Sequence, residues 1–157
     1  MSKVTPCLWF DDQAEDAARF YTSLIKNSKV GAIARYGDVG PGPKGSVMTV
    51  MFTLDGHEYM GLNGGPHFKH TEAFSLIVNC DSQKEVDMLW EKFSEGGEKS
   101  QCGWVKDKYG VSWQITPRIM EKLMSGANPA RSQRVMKAML QMTKLDIKTL
   151  QKAYDGK

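Results

Sequence analysis

One order of elements occurs twice in this chain, and it constrains the fold more than any single motif. A short apolar run, VTPCLWF (4–10), stops at Asp11-Asp12 and leads into AEDAARFYTSLI (14–25). There Ala14, Ala17, Ala18, Tyr21, Leu24 and Ile25 recur at the spacing of one helical face. Further on, AFSLIVNC (73–80) stops at Asp81-Ser82 and leads into SQKEVDMLWEKFSE (82–95), with Val86, Leu89, Trp90 and Phe93 on one face. Each helix is followed by short strand-like runs rich in β-branched and aromatic residues. They are VGAIARYG (30–37), SVMTVMFTL (46–54) and HEYMGLN (57–63) in the first half, and EKSQ, GWVKD and GVSWQIT within 98–116 in the second. The pattern is β-α-β-β-β, twice, with repetition of element order and not of residues. A chain of 157 residues holds this as one domain or as two fused half-domains sharing a core.

The residues between the runs suit this division. Asp12 with Glu15 three positions on is an acidic variant of the capping box, and Asp81 or Ser82 serves the second helix. Gly96-Gly97 can supply the left-handed residue that ends that helix. Asp55-Gly56 is a strong hairpin signal, and Tyr109-Gly110 marks a second turn. DVGPGPKGS (38–46) reads as a loop, and Gly64-Gly65-Pro66 separates the halves into modules of about 3–63 and 73–117. Residues 118–157 read as helical throughout, an extension with apolar stripes at Ile119/Leu123/Met124, Val135/Met136/Met139/Leu140 and Ile147/Leu150/Tyr154. Pro129 suits a helix's first turn. The extension holds five of the ten methionines, which reads more simply as core packing than as an adaptable partner surface.

Charge is unevenly divided. Residues 1–117 carry 12 Lys+Arg against 15 Asp+Glu (net −3), while 118–157 carry 9 against 3 (net +6). The basic residues of the extension are spread out and lack the aromatic interleaving that base stacking uses, so solvated helix faces are favoured over a nucleic-acid partner. No apolar run approaches the roughly 20 residues that span a bilayer, and MSKVTPCLWF lacks a secretory apolar segment. Cys7, Cys80 and Cys102 are an odd number at spacings of no metal or redox motif, which points to reduced thiols in a cytoplasmic protein.

Chemistry-bearing motifs are mostly excluded. All three histidines fall in HEYMGLNGGPHFKH (57–70), so a metal site would draw on His57, His67 and Glu72. Zinc, however, needs three or four ligands on rigid elements, and His67 and His70 lie after a Gly-Gly-Pro break where extended backbone points them apart. Ordinary strand-end and loop histidines are the simpler reading. GPGPKGS (40–46) has the wrong order for a phosphate loop, two prolines that remove donors, and a strand after it instead of a helix. Both strand-to-helix turns, FDDQ and NCDS, lack glycine, which argues against a nucleotide or S-adenosylmethionine site of the Rossmann kind. No Gly-x-Ser-x-Gly elbow is present.

A pocket is what remains. By strand alternation Leu8 and Phe10 oppose Thr5, Cys7 and Trp9; Trp113 and Ile115 oppose Ser112, Gln114 and Thr116; Leu76 and Val78 oppose Ser75, Ile77 and Asn79. Each strand has an apolar face for a helix and a mixed face that would line a ligand cleft if the sheet curves. The alternative is that the mixed faces meet solvent or a partner chain. Thr5, Cys7, Trp9, Ser75, Trp104, Ser112 and Gln114 are the candidate ligand-binding residues.

The segments LWFDDQAEDAARFYTSLI, LNGGPHFKHTEAFSLIVNC and above all GGEKSQCGWVKDKYGVSWQITP resemble the PhnB-like branch of the glyoxalase/bleomycin-resistance, or vicinal oxygen chelate, superfamily, often labelled 3-demethylubiquinone-9 3-methyltransferase domains. The resemblance covers essentially the whole chain. It implies an α+β fold of two βαβββ modules forming a cupped eight-stranded mixed sheet, usually in a homodimer. It also places Thr5 at the first-strand metal-ligand position of the catalytic members, Ser75 at the first of the second module, Gln114 at the last strand, and the third-strand position near Met60–Leu62. Of these only Gln114 suits a metal, and one neutral amide is a poor divalent-cation site. The expectation is a metal-independent, small-molecule-binding protein with no cofactor, holding a planar ligand against Trp9 and Trp104 with Ser75 and Gln114 orienting it. The alternatives are an enzyme on the same scaffold, either the labelled methyltransferase or a metal-dependent lyase or dioxygenase; no catalytic residue is assigned.

Overall fold

The computed structural model describes residues 2–157. The chain forms two compact units, one ending at His70 and the other spanning Thr71–Lys157.

In the first unit the elements are β1 (Cys7–Phe10), α1 (Ala14–Leu24), β2 (Lys29–Arg35), β3 (Val47–Leu54) and β4 (His57–Asn63). The strands form one mixed sheet in the order β1-β4-β3-β2, with β1 parallel to β4 and the other pairs antiparallel. Leu8 and Phe10 are buried on one face of β1 while Cys7 is exposed, as the alternation predicts. Ala14, Ala17, Ala18 and Tyr21 form the buried stripe of α1. Small side chains there let the helix approach the sheet, and Gly61 serves the same end: a Cβ on it would lie 3.0 Å from Val50 and 3.1 Å from Ala14. Asp55 (φ 47°) and Gly56 (φ 79°) are both left-handed, the pair of conformations that a two-residue hairpin of primed type requires.

The cap of α1 differs from expectation. The N-cap residue is Gln13, with no side-chain capping bond of its own. Instead, the Ala14 N–H donates to Asn63 Oδ1 at 2.8 Å, from the end of β4. Asn63 also donates from Nδ2 to the Val47 carbonyl (3.1 Å), and its own carbonyl accepts the Tyr36 hydroxyl (2.5 Å). Asp12 loses the role because a buried amide 49 residues away in sequence reaches the helix end first.

The second unit contains β5 (Ser75–Cys80), α2 (Gln83–Ser94), β6 (Glu98–Lys99), β7 (Trp104–Lys106), β8 (Ser112–Pro117), α3 (Ile119–Leu123), α4 (Pro129–Met139) and α5 (Ile147–Asp155). Its sheet has the order β5-β8-β7-β6, with β5 parallel to β8. Ser82 caps α2 by accepting the Glu85 N–H at 3.2 Å, and the Glu85 carboxylate returns to the Asp81 N–H at 2.7 Å. Val86, Leu89, Trp90 and Phe93 are all buried, and Phe93 stacks on Trp113 at 4.4 Å. Gly96 takes the left-handed conformation (φ 74°) just past the helix.

The extension is not helical throughout. Residues 124–128 and 140–146 are turns and coil, and the three helices surround a satellite core of Met120, Leu123, Val135, Leu145 and Leu150. Leu140, placed in a stripe by spacing, is 56% exposed, because α4 ends at Met139 and the chain turns there. Asn128 caps α4 by accepting the Arg131 N–H, with Pro129 in the first turn. The Gln83 side chain of α2 holds the extension from both sides, donating to the Leu145 carbonyl (3.1 Å) and accepting from the Ile147 N–H (2.8 Å). Two of the basic residues turn out to be structural: Arg134 donates to the Ala153 and Tyr154 carbonyls at the end of α5, and Arg131 lies over the Tyr154 ring at 5.2 Å. No helix among the described residues is long and apolar enough to cross a membrane.

Candidate functional site

The turn between β7 and β8 positions the site. Asp107, buried, accepts the Tyr109 N–H (2.8 Å) and Val111 N–H (3.0 Å) on Oδ1, and the Trp113 indole N–H (2.8 Å) on Oδ2. One carboxylate thus organises the turn around left-handed Gly110 and fixes the large aromatic of β8. With Trp113 and Ile115 buried on one side of β8, Ser112, Gln114 and Thr116 are committed to the other.

Register then assembles a polar face. Ser75 pairs with Ser112, Trp104 with Gln114 and Lys106 with Ser112. Gln114 Nε2 donates to Ser75 Oγ at 3.0 Å, which joins the two side chains across neighbouring strands. Half-buried Trp104 and buried Ser112 line a cavity of about 370 Å³ together with Glu72, Glu98, Lys99 and Lys106. Ser112 is 2% exposed, and its hydroxyl has no hydrogen-bond partner among the described residues. Lys106 Nζ lies 2.6 Å from Glu72 and 3.7 Å from Glu98. The Lys106 hydrogen bond draws the Glu72 carboxyl below the usual carboxylate range, and Glu72 in turn raises the ammonium.

Of the seven candidate ligand-binding residues, the second unit therefore brings Ser75, Trp104, Ser112 and Gln114 to one sheet face. Thr5, Cys7 and Trp9 belong to the first unit. Thr5 precedes β1, with its hydroxyl 3.1 Å from that of Ser2. Trp9 is half-buried and engaged locally: its indole donates to the Gly65 carbonyl at 2.9 Å and meets Phe68 edge-on at 4.9 Å. Gly64 is required beneath it, since a Cβ there would sit 2.2 Å from the indole. The sequence reading did not single out Lys106 and considered Glu72 only as a metal ligand beside His57 and His67, because the Lys106–Glu72 pairing depends on tertiary register; the available signal was Lys106 two positions from Trp104, hence on its face. It also missed a hollow of about 570 Å³ in the first unit, walled by Asp11, Asp12, Glu15, Asp16 and Tyr36.

Metal and cofactor fit can be read from the donors present. Among the described residues no three His, Cys, Asp or Glu side chains come together as a metal-binding group. Ser75 and Gln114 offer a neutral hydroxyl and a neutral amide with no carboxylate, imidazole or thiolate joined to them, a poor fit to a divalent cation. The turns that precede α1 and α2 contain no glycine, so S-adenosylmethionine finds no backbone cradle of the dinucleotide-binding kind. Burial, with Glu85 and Asp81 nearby, pushes the Cys80 thiol up to about 12, which keeps it protonated and unreactive at neutral pH.

Comparison with known proteins places this geometry. The family profile described as 3-demethylubiquinone-9 3-methyltransferase matches residues 2–116, ending just before α3. The PhnB protein from Bacillus cereus, whose name carries the same methyltransferase label, is 38% identical, with a TM-score of 0.68 over 74% of this chain and 99% of that one. Protein PA1353 from Pseudomonas aeruginosa (21% identity, TM-score 0.61, 74% and 98% covered) is similar in fold. So is the fosfomycin resistance protein FosX from Listeria monocytogenes (14% identity, TM-score 0.51, 80% and 97% covered). No curated protein matches. The chain is a member of the 3-demethylubiquinone-9 3-methyltransferase (PhnB-like) domain family, and its two βαβββ modules have the glyoxalase/bleomycin-resistance fold, followed by a helical extension.

Proposed function

We propose that this protein binds a small molecule without a metal, on the polar face of its second sheet. The observation that carries the reading is that Trp104 and Ser112 line a cavity of about 370 Å³, with the Ser75–Gln114 pair as their register partners on the adjoining strands. Trp104 supplies one aromatic wall in a lining otherwise mostly charged and polar, which favours a polar small molecule, and the volume lies within the roughly 300–1,000 Å³ that such sites span. Neutral donors at the superfamily's ligand positions favour binding over metal catalysis. A homodimer and a cytoplasmic location are part of the same proposal, the latter supported by three free cysteines.

Titration of the full-length protein with planar aromatic compounds, followed by tryptophan fluorescence, tests the site. A responding ligand should lose its effect in Trp104→Ala and weaken in Gln114→Ala. Unchanged affinity in both variants would refute the placement. Heat of binding with S-adenosylmethionine would favour the methyltransferase alternative instead, and light scattering at a monomer mass would exclude the dimer.

A further inference from the structure

We infer that the cavity takes an oxyanion, the carboxylate of a small planar molecule, on Lys106 and Ser112, and that Glu72 is an internal carboxylate holding that place. This rests on the second-sheet binding reading above and names its ligand chemistry.

Lys106 and Ser112 are direct register partners on neighbouring strands, so their side chains stand side by side on the same face. One is an ammonium with three N–H donors; the other is a buried hydroxyl with none of its hydrogen-bonding capacity used among the described residues. A carboxylate has two oxygens and suits both donors at once. A buried hydroxyl left unmatched at a cavity wall is unfavourable, and a ligand oxygen would relieve it. Trp104, two residues before Lys106 on β7, offers a ring to the body of such a ligand.

The ammonium is already in contact with a carboxylate, but a loosely held one. Glu72 is 63% exposed and sits before β5, outside any strand, whereas Lys106 is 32% exposed on a strand of the sheet. Exposed ion pairs of this kind contribute little and exchange readily. Glu98 also faces Lys106, so the unliganded ammonium has two acidic neighbours, and an incoming anion must displace one of them. Glu72, nearer and on the more adaptable segment, is the one that yields. Neutralising it should therefore strengthen anion binding, the opposite of what loss of a ligand contact would do.

Benzoate and its neutral isostere benzamide, titrated calorimetrically into the full-length protein, separate the possibilities. Benzoate should bind about tenfold more tightly than benzamide, a preference that falls with added salt. Glu72→Gln should tighten benzoate several-fold and leave benzamide unchanged. Ser112→Ala should weaken benzoate, and Lys106→Met should abolish the preference, with near-ultraviolet circular dichroism confirming that both variants fold. Equal binding of the two compounds, in wild type and in Glu72→Gln, would overturn the oxyanion assignment while leaving small-molecule binding intact. A structure with benzoate in which only water reaches Ser112 would do the same. Failure of either compound, and of every planar aromatic tried, would remove the cavity as a site altogether.

Discussion

Replacing Asp107 by alanine tests whether the most distinctive motif of the chain, GWVKDKYGVSWQITP, is architectural. Its carboxylate accepts three N–H groups at 2.8–3.0 Å, from Tyr109, Val111 and the Trp113 indole. Val111 and Trp113 are each about 1% exposed, so their donors cannot turn to water when the carboxylate goes. Each buried donor left unsatisfied costs about 1–3 kcal/mol, while the Tyr109 N–H, nearer the surface, can be solvated at smaller cost. The expected loss is about 2–6 kcal/mol, a large part of the roughly 5–15 kcal/mol that holds an ordinary domain together. Asp107→Asn should lose less, about 2–3 kcal/mol. Its amide oxygen can still accept the two backbone donors, but its NH₂ then faces the indole N–H. Urea unfolding followed by far-ultraviolet circular dichroism gives the measurement: the midpoint should fall in the order wild type, Asn, Ala, with the slope unchanged. A loss below about 1 kcal/mol in Asp107→Ala would refute the reasoning, since two buried donors would then have found other partners.

Two further changes probe the other unit and the extension. Gly64→Ala puts a Cβ about where the Trp9 indole now lies, so the indole should leave the Gly65 carbonyl, at a cost of about 1–3 kcal/mol read as a lowered melting temperature and a red-shifted emission; an unaltered spectrum would show that Trp9 is not held there. Asp146 caps α5, and its bonds from the Thr149 hydroxyl and N–H hold its carboxyl below the usual carboxylate range. A lowered folded-state value stabilises above the ordinary carboxylate pKa and is lost as pH falls through the folded one, so amide exchange in α5 should rise below about pH 4. Asp146→Asn keeps a cap without a titratable group and should flatten that dependence; an identical pH profile in the variant would assign the effect to another group.

Local patterns were sufficient for most of the architecture. The apolar face of α2, the Ser82 cap, the Asp55-Gly56 hairpin and the opposed faces of β1, β5 and β8 all depend on residues within a turn or two of one another, where periods of 3.6 and 2 dominate. The same alternation opposes Ser112 and Gln114 to Trp113 and Ile115 within β8, whereas the grouping of Ser75, Trp104 and Gln114 across three strands comes from the register of β5, β7 and β8.

Only the tertiary structure decided which polar group meets which. Asn63 caps α1 across 49 residues, overriding the nearer Asp12, because strand order carries β4 to the helix end. Gln83 grips residues 145 and 147, and in doing so helps decide that Leu145 belongs to a core while Leu140 does not. Glu72 and Lys106 meet for the same reason, through the pairing of β7 with β8 and the path of the chain into β5. Hydrophobic burial is non-directional and leaves its period in the chain, whereas a hydrogen bond or ion pair needs two groups within about 3 Å, and that proximity exists only once the strands are in register.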